Sequence, residues 1–244
     1  MGQPRIYSKH ALQTGAAVEL DGSAARHIAR VLRLSAGDRV VLFDGAGIEH
    51  DSTLIEVGKN RVRLAVGPGV AADTEAATRI SLWQGLCRGA RMDSIIQKTT
   101  ELGVSAIEPF YADRGIVRMD AQRAEKRLAR WREIAISACE QCGRAILPDI
   151  AAPVELSEKL AQSAATDTKI LLHPEAEEPL ETVLQDASSI TLLVGPEGGL
   201  TPVEVKQATE EGFRAVRLGK RILRTETAPL AAISIIQYVK GDLG

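Results

Sequence analysis

The sequence predicts an α/β protein in two parts: a small N-terminal β-barrel carrying one helix, then a larger domain built around a mostly parallel sheet. Three observations carry this. Short β-type runs broken by Gly and Asp fill the first 66 residues. Gly67-Pro68-Gly69 and the stretch to residue 78, poor in large apolar groups, then read as a linker. After Arg79, apolar runs alternate with amphipathic helical periods, as expected of a parallel sheet with helices on both faces. The expected division is 1–70 for the barrel, 71–78 for the linker and 79–244 for the second domain.

In the first part, strands are expected over 17–20, 39–43, 48–57 and 61–66, with Asp44-Gly45 as a turn. One helix is expected over about 23–34, capped by Ser23, with Ile28, Val31 and Leu32 on one side and Arg26, Arg30 and Arg33 elsewhere. Ser35-Ala36-Gly37-Asp38 ends it. So small a barrel presents a surface, and binding is its expected task. In the second part, strands are expected over 80–86, 106–111, 169–172, 190–194 and 215–218. Helices are expected over 92–102, 123–142, 180–186, 202–211 and 227–240. In such a sheet, ligands sit at the carboxyl ends of the strands.

Composition narrows the function. Of 244 residues, 45% are hydrophobic and 25% charged, which supports a buried core and excludes disordered, collagen-like and disulfide-stapled classes. Aromatics are only 3%, so the core rests on aliphatic residues and a broad base-stacking surface is not expected. A net charge of -2 argues against coating nucleic acid indiscriminately. The charge is uneven: +2 over 1–72, +1 over 73–150 and -5 over 151–244, so a polyanion partner is sought in the first two thirds. Three cysteines and no basic-then-apolar leader point to a cytoplasmic protein. The most apolar stretch, 228–239, is too short for a bilayer and reads as a buried helix, so no membrane partner is expected.

Two loops carry the chemistry. The strand 190–194 runs into Gly195-Pro196-Glu197-Gly198-Gly199, and Thr201, Pro202 and Glu204 then spell a capping box with proline in the first turn. Glycines at a strand tip leave main-chain amides and carbonyls bare, so a flat ligand such as adenine can lie against them. A plain turn explains the same glycines. The loop lacks the GxGxxG spacing of dinucleotide sites and the Gly-Lys-Ser/Thr of phosphate-binding loops. The second loop, Leu218-Gly219-Lys220-Arg221-Ile222-Leu223-Arg224-Thr225-Glu226-Thr227-Ala228, follows the next strand. Ile222 and Leu223 are placed to sandwich a base, and Arg224 with the helix start near Thr227 and Pro229 to hold a carboxylate or phosphate. Helix capping is the plainer account of Thr225, Glu226 and Thr227 taken singly.

These loops, together with Arg88-Gly89-Ala90-Arg91-Met92-Asp93, residues 97–104, Glu140-Gln141-Cys142-Gly143-Arg144 with Pro148, Arg5-Ile6-Tyr7 and residues 27–38, resemble the 16S ribosomal RNA uridine-N3 methyltransferase family of the SPOUT superfamily. The resemblance covers nearly the whole chain. Thr99 and Cys142 depart from it conservatively. It implies a PUA-like RNA-binding barrel, a knotted α/β methyltransferase domain, a homodimer, and 3-methyluridine in the decoding region of 16S rRNA as product. It also implies S-adenosyl-L-methionine held by Leu172 and His173, by Gly195, Pro196, Glu197, Gly198 and Gly199, and by Leu218, Gly219, Ile222, Leu223, Arg224 and Thr227.

Methyl transfer from a sulfonium to N3 needs alignment and an exit for the imide proton, and it needs no metal. Glu197 and Glu226 are the candidate bases, since arginine does not deprotonate in proteins, and Arg224 and Arg91 are candidates to stabilise charge on the uracil oxygens. Arg5, Arg26, Arg30, Arg33, Arg88 and Arg91 are the candidate RNA contacts. Cys139 and Cys142 form a lone CxxC within a helix, and His10, His27, His50 and His173 lack ligand spacing, so helix packing is favoured over metal. The basic run from Arg114 to Arg132, diluted by acids, reads as a solvated face first and an RNA contact second. Ala231, Ile235 and Val239 form an apolar stripe that suits a dimer seam or the core equally. A noncatalytic RNA-binding assembly factor on the same fold is the alternative, and a phosphate-using nucleotide enzyme is disfavoured by the missing phosphate signatures.

Overall fold

A computed structural model describes residues 3–162, 168–184 and 189–244. The chain divides into two compact units: Met1–Glu75 with Ile136–Leu147, and Ala76–Ala135 with Pro148–Gly244. The division expected from the sequence is collinear and this one is not. The end of the long helix and the loop after it, through Cys139, Ala145 and Leu147, bury against Phe43 and Tyr7.

The first unit is a six-stranded curled sheet, a half-barrel, in the order β1 (Arg5–Tyr7), β3 (Arg39–Phe43), β4 (Ile48–Val57), β5 (Arg61–Ala65), β2 (Ala17–Asp21), with β6 (Gly69–Ala71) beside β4. Strict alternation makes it. In β5, Val62 and Leu64 are buried while Arg61, Arg63 and Ala65 face out, and a bulge between Leu54 and Glu56 bends β4. In this unit two strands escaped the sequence reading: β1 has three residues and no room for a pattern, and β6 lies in the expected linker and is wholly exposed. The expected helix over 23–34 is shorter and of two kinds. An α-helical turn α1 (Gly22–Arg26) passes into a π-helical turn over His27–Leu32, and Arg33 stops it in the left-handed region at φ 56°. The N-cap position falls on Asp21, not Ser23, and the Asp21 carboxylate binds Lys9 without capping the helix.

The second unit holds a seven-stranded, all-parallel sheet. Its order is β10 (Val154–Glu155), β8 (Ala106–Tyr111), β7 (Arg79–Gly85), β12 (Ser189–Val194), β11 (Thr168–Leu172), β13 (Arg214–Val216), with β9 (Asp149–Ile150) beside β8. Successive strand residues feed opposite layers. Ile80, Leu82, Ile170 and Leu192 join residues of α2 (Arg91–Glu101), α3 (Ala121–Cys142) and α6 (Ala228–Lys240), including Ile95, Trp131 and Ile233. Trp83, Leu171 and Leu193 join residues of α4 (Leu156–Ala161) and α5 (Pro202–Glu210). Each buried Leu or Ile contributes about 1.5–3 kcal/mol, so both faces are sealed by aliphatic burial.

The expected strand over 215–218 is β13 and stops at Val216. The expected helix over 180–186 is a single 3-10 turn, Leu180–Val183, since Thr182 satisfies the carbonyl of Pro179 and leaves no run of α-helical bonds. Residues 185 and 186 of that expectation lie outside the described residues. The Thr201–Glu204 capping box forms in both directions, and Glu204 also accepts the Asp113 amide at 2.9 Å, which fixes where α5 begins. Among the described residues, no helix is long and apolar enough to cross a membrane.

Candidate active site at the carboxyl ends of the parallel strands

Because every strand of the second sheet runs the same way, the loops after β11, β12 and β13 emerge at one edge, where they enclose a cavity of about 1040 Å³. Leu172 and His173 line it after β11, Gly195 to Gly199 after β12, and Leu218 with Ile222, Leu223 and Arg224 after β13. Of the residues expected to hold the methyl donor, Gly219 and Thr227 are not on its wall. The Thr227 side chain makes no capping bond, while its amide and that of Ala228 both donate to the Arg224 carbonyl and close a tight turn. Ile222 is 82% exposed, at the rim.

Two glycines shape the wall. A Cβ on Gly85, at the end of β7, would meet Pro196 at 2.5 Å, so the loop after β12 can lie against β7 only where a side chain is missing. Gly199 has φ +69° and nothing within 4 Å of where a Cβ would be, so its bare main chain faces open cavity. With Leu172, Val194, Val216, Leu218 and Leu223 also on the wall, the cavity offers aliphatic surfaces beside exposed peptide groups. That donor set fits a nucleoside ligand.

The charged groups form one chain of contacts. Arg91, in the first turn of α2, gives Nη1 to Glu197 Oε1 at 3.0 Å and sets Nε 3.5 Å from Glu226 Oε2. Glu197 Oε1 also accepts the Arg88 amide at 2.9 Å. Arg224 reaches Glu226 Oε1 at 3.9 Å with its side chain 81% exposed. The two glutamates therefore differ. Glu197 is engaged by main chain and guanidinium, whereas Glu226 Oε2 is buried and accepts no hydrogen bond among the described residues.

Three further residues complete this edge: Gln84, which the sequence did not single out, Thr225, which it read as helix capping, and Arg114, which it read as part of a basic run. Gln84 Nε2 donates to Thr225 Oγ1 at 3.1 Å, and Thr225 Oγ1 donates to the Gly195 carbonyl at 2.8 Å. Arg114, on the cavity wall, gives Nη1 to the Leu200 carbonyl at 3.3 Å. The available signal for Gln84 was an amide at the end of an otherwise apolar strand. Cys87 lies beside Thr225 at 3.5 Å, and burial pushes its thiol up to about 11, so it is protonated at neutral pH.

Of the residues expected to meet RNA, Arg26, Arg30, Arg33 and Arg88 are exposed. Arg5 is not displayed. Its side chain is 15% exposed, paired with Glu49 at 2.5 Å, bonded to the Arg144 carbonyl at 3.1 Å and stacked 5.0 Å over Phe43. Cys139 is buried and Cys142 exposed, and the described residues contain no group of three or more His, Cys, Asp or Glu suited to a metal ion.

Residues 74–237 match the RNA methyltransferase domain family and residues 20–66 the RNA methyltransferase PUA domain family. The ribosomal RNA small subunit methyltransferase E of Bacillus subtilis is 33% identical over 247 residues, covering 96% of both chains. The chain belongs to this family. The enzyme of the same name from Buchnera aphidicola (subsp. Schizaphis graminum) is 31% identical over 98% of both chains. Solved relatives agree over their full lengths. A ribosomal RNA small subunit methyltransferase E from Neisseria gonorrhoeae bound to S-adenosyl methionine has a TM-score of 0.93 at 42% identity, and a putative methyltransferase from Legionella pneumophila with bound cofactor SAM has 0.95 at 33%. The α/β domain with a parallel sheet and the N-terminal PUA domain read from the sequence are thus those of a ribosomal RNA methyltransferase family.

Proposed function

We propose that this chain transfers a methyl group from S-adenosyl-L-methionine to N3 of one uridine in the decoding region of 16S rRNA, giving 3-methyluridine. The observation that carries the reading is the single cavity onto which all three strand-end loops open, with Arg91, Glu197 and Glu226 on its wall. The donor set supports the cofactor: bare main chain at Gly195 to Gly199, aliphatic side chains from all three loops, and an open glycine at Gly199.

When bound there, the cofactor supplies a methyl group already electrophilic on a sulfonium. The chain's own groups do the rest. The three loops hold the donor and orient a uracil so that its N3 lone pair forms the new N–C bond as the C–S bond breaks. Glu226, on the cavity wall with its side chain 24% exposed, takes the N3 proton. Arg91 holds both glutamates, and Arg224, free in solvent beyond its contact with Glu226, meets charge developing on a uracil oxygen. Glu197 orders the Arg88–Arg91 turn.

Exposed Arg26, Arg30 and Arg33 on the first unit, and Arg88 at the site, supply phosphate contacts to 16S rRNA or the small subunit. Arg5 belongs to the fold of its own unit. The chain acts in the cytoplasm, threads the trefoil knot of its superfamily, and pairs as a homodimer through α6, where Ile235, Tyr238 and Val239 stay exposed. Incubating the protein with undermodified small subunits and labelled donor tests the reading. Label recovered as 3-methyluridine supports it, and RNA binding without label supports the assembly-factor alternative.

A further inference from the structure

The Gln84–Thr225–Gly195 relay ties β7 to the loops after β12 and β13 and takes no direct part in the chemistry above. Gln84, the penultimate residue of β7, lies opposite Val194 of β12 and is fully buried. Its Nε2 uses one hydrogen on the Gly85 carbonyl at 3.1 Å and the other on Thr225 Oγ1 at 3.1 Å. Thr225, 8% exposed, spends its one hydroxyl hydrogen on the Gly195 carbonyl at 2.8 Å. Three segments meet in that hydroxyl: the end of β7, the first glycine of the loop after β12, and the residue between Arg224 and Glu226.

The sheet itself fixes Gln84 and Val194, because β7 and β12 are hydrogen-bonded neighbours. The loop from Leu218 to Thr227 has no such support. It follows β13, at the sheet's edge, and contains no strand or helix of its own. Thr225 is therefore where that loop is pinned to the rigid part of the sheet, and its two chain neighbours inherit the placement. The Gly195 carbonyl and one buried amide hydrogen of Gln84 also lose their partner if the hydroxyl is absent, so the site cannot relax cheaply around the loss.

We infer that Thr225 is a positioning residue for methyl transfer: its hydroxyl holds the two cofactor loops at a set separation and, through the chain, sets Glu226 and Arg224 at the cavity. The inference rests on the cofactor reading above. It distinguishes Thr225 from a threonine that is merely satisfied in a core, because the cost of losing the hydroxyl falls on donor binding and turnover together. The affinity for RNA, gripped elsewhere, is untouched.

The test compares wild type, Thr225→Val, Thr225→Ser and Gln84→Met. Binding of S-adenosylhomocysteine is followed by calorimetry, thermal stability by melting, and kcat and KM by steady-state assay on small subunits. Thr225→Val keeps shape and branching but loses the hydroxyl, so its Kd for S-adenosylhomocysteine is expected to rise about 10- to 100-fold, with lower kcat and unchanged KM for the subunit. Thr225→Ser keeps the hydroxyl and is expected to restore Kd and kcat most of the way to wild type. Gln84→Met leaves the Thr225–Gly195 bond in place, and its expected rise in Kd is smaller, about 3- to 10-fold. It decides the matter if Thr225→Val does not fold.

An unchanged Kd and kcat in folded Thr225→Val, with only a lower melting temperature, overturns the inference. So does an unchanged Kd in Gln84→Met where Thr225→Val is unfolded, or a Thr225→Ser variant as impaired as Thr225→Val. Wild type that fails to bind S-adenosylhomocysteine removes the cofactor reading instead, and the inference falls with it.

Discussion

Arg91 stands beside Glu226 with its Nε 3.5 Å from Oε2, the carboxylate oxygen that accepts no hydrogen bond among the described residues. A carboxylate held this way is oriented by charge, and its side chain stays partly exposed at the cavity wall. The same guanidinium holds Glu197 at 3.0 Å, so one side chain sets the spacing of both acids.

Glu226→Gln keeps the size of the side chain and removes its basicity. The expected result is a fall in kcat of about 10²- to 10⁴-fold with donor affinity nearly unchanged. Single-turnover kinetics alongside calorimetry separates the two quantities. Equal losses in both would assign Glu226 to binding.

Arg91→Ala releases both carboxylates. Its expected loss of kcat/KM is on the order of 100-fold, and Arg91→Lys is expected to recover only part, because a single ammonium cannot serve two acids at different angles. Activity of the lysine variant equal to wild type would remove the two-acid clamp.

Gly85→Ala and Gly199→Ala separate shape from binding. At Gly85 the new methyl meets Pro196 at 2.5 Å, so a destabilisation of about 1–3 kcal/mol is expected in denaturant melts. At Gly199 the methyl meets nothing within 4 Å, and its φ of +69° costs about 1 kcal/mol, but it intrudes on the cavity wall and is expected to weaken S-adenosylhomocysteine binding more than Gly85→Ala does. The reverse ranking in affinity would put the ligand elsewhere.

A pH dependence follows from the other face of the sheet. Burial works to raise Glu108, but hydrogen bonds from Lys159 and Ser81, the Lys159 charge and the Trp83 indole outweigh it and hold the carboxyl below its ordinary value. A carboxyl lowered on folding contributes stability above its unfolded value and loses it as pH falls through the folded one. Acid unfolding of wild type is thus expected to carry a step that Glu108→Gln lacks. At neutral pH that variant, leaving Lys159 unpaired, is expected to be less stable by about 1–3 kcal/mol in urea titration.

Much of this was legible in the chain. The glycine run after strand 190–194, the capping box at Thr201 and Glu204, and the alternation of β5 are local signals, written in a few adjacent residues. What escaped is nonlocal. Gln84 and Thr225 meet across 141 positions and Arg5 and Glu49 across 44, and no spacing rule joins them. The π-turn at His27–Leu32 escaped because its apolar residues Ile28, Val31 and Leu32 suit an ordinary helix as well, and the edge strand Gly69–Ala71 because, wholly exposed, it has no apolar alternation to announce it.

The most direct measurement is mass spectrometry of nucleosides from 16S rRNA after undermodified small subunits are incubated with the protein and S-adenosylmethionine. The expected result is one new 3-methyluridine per subunit, lost with Glu226→Gln on the same timescale. No added methyl group, or one on any atom other than uridine N3, would contradict the account.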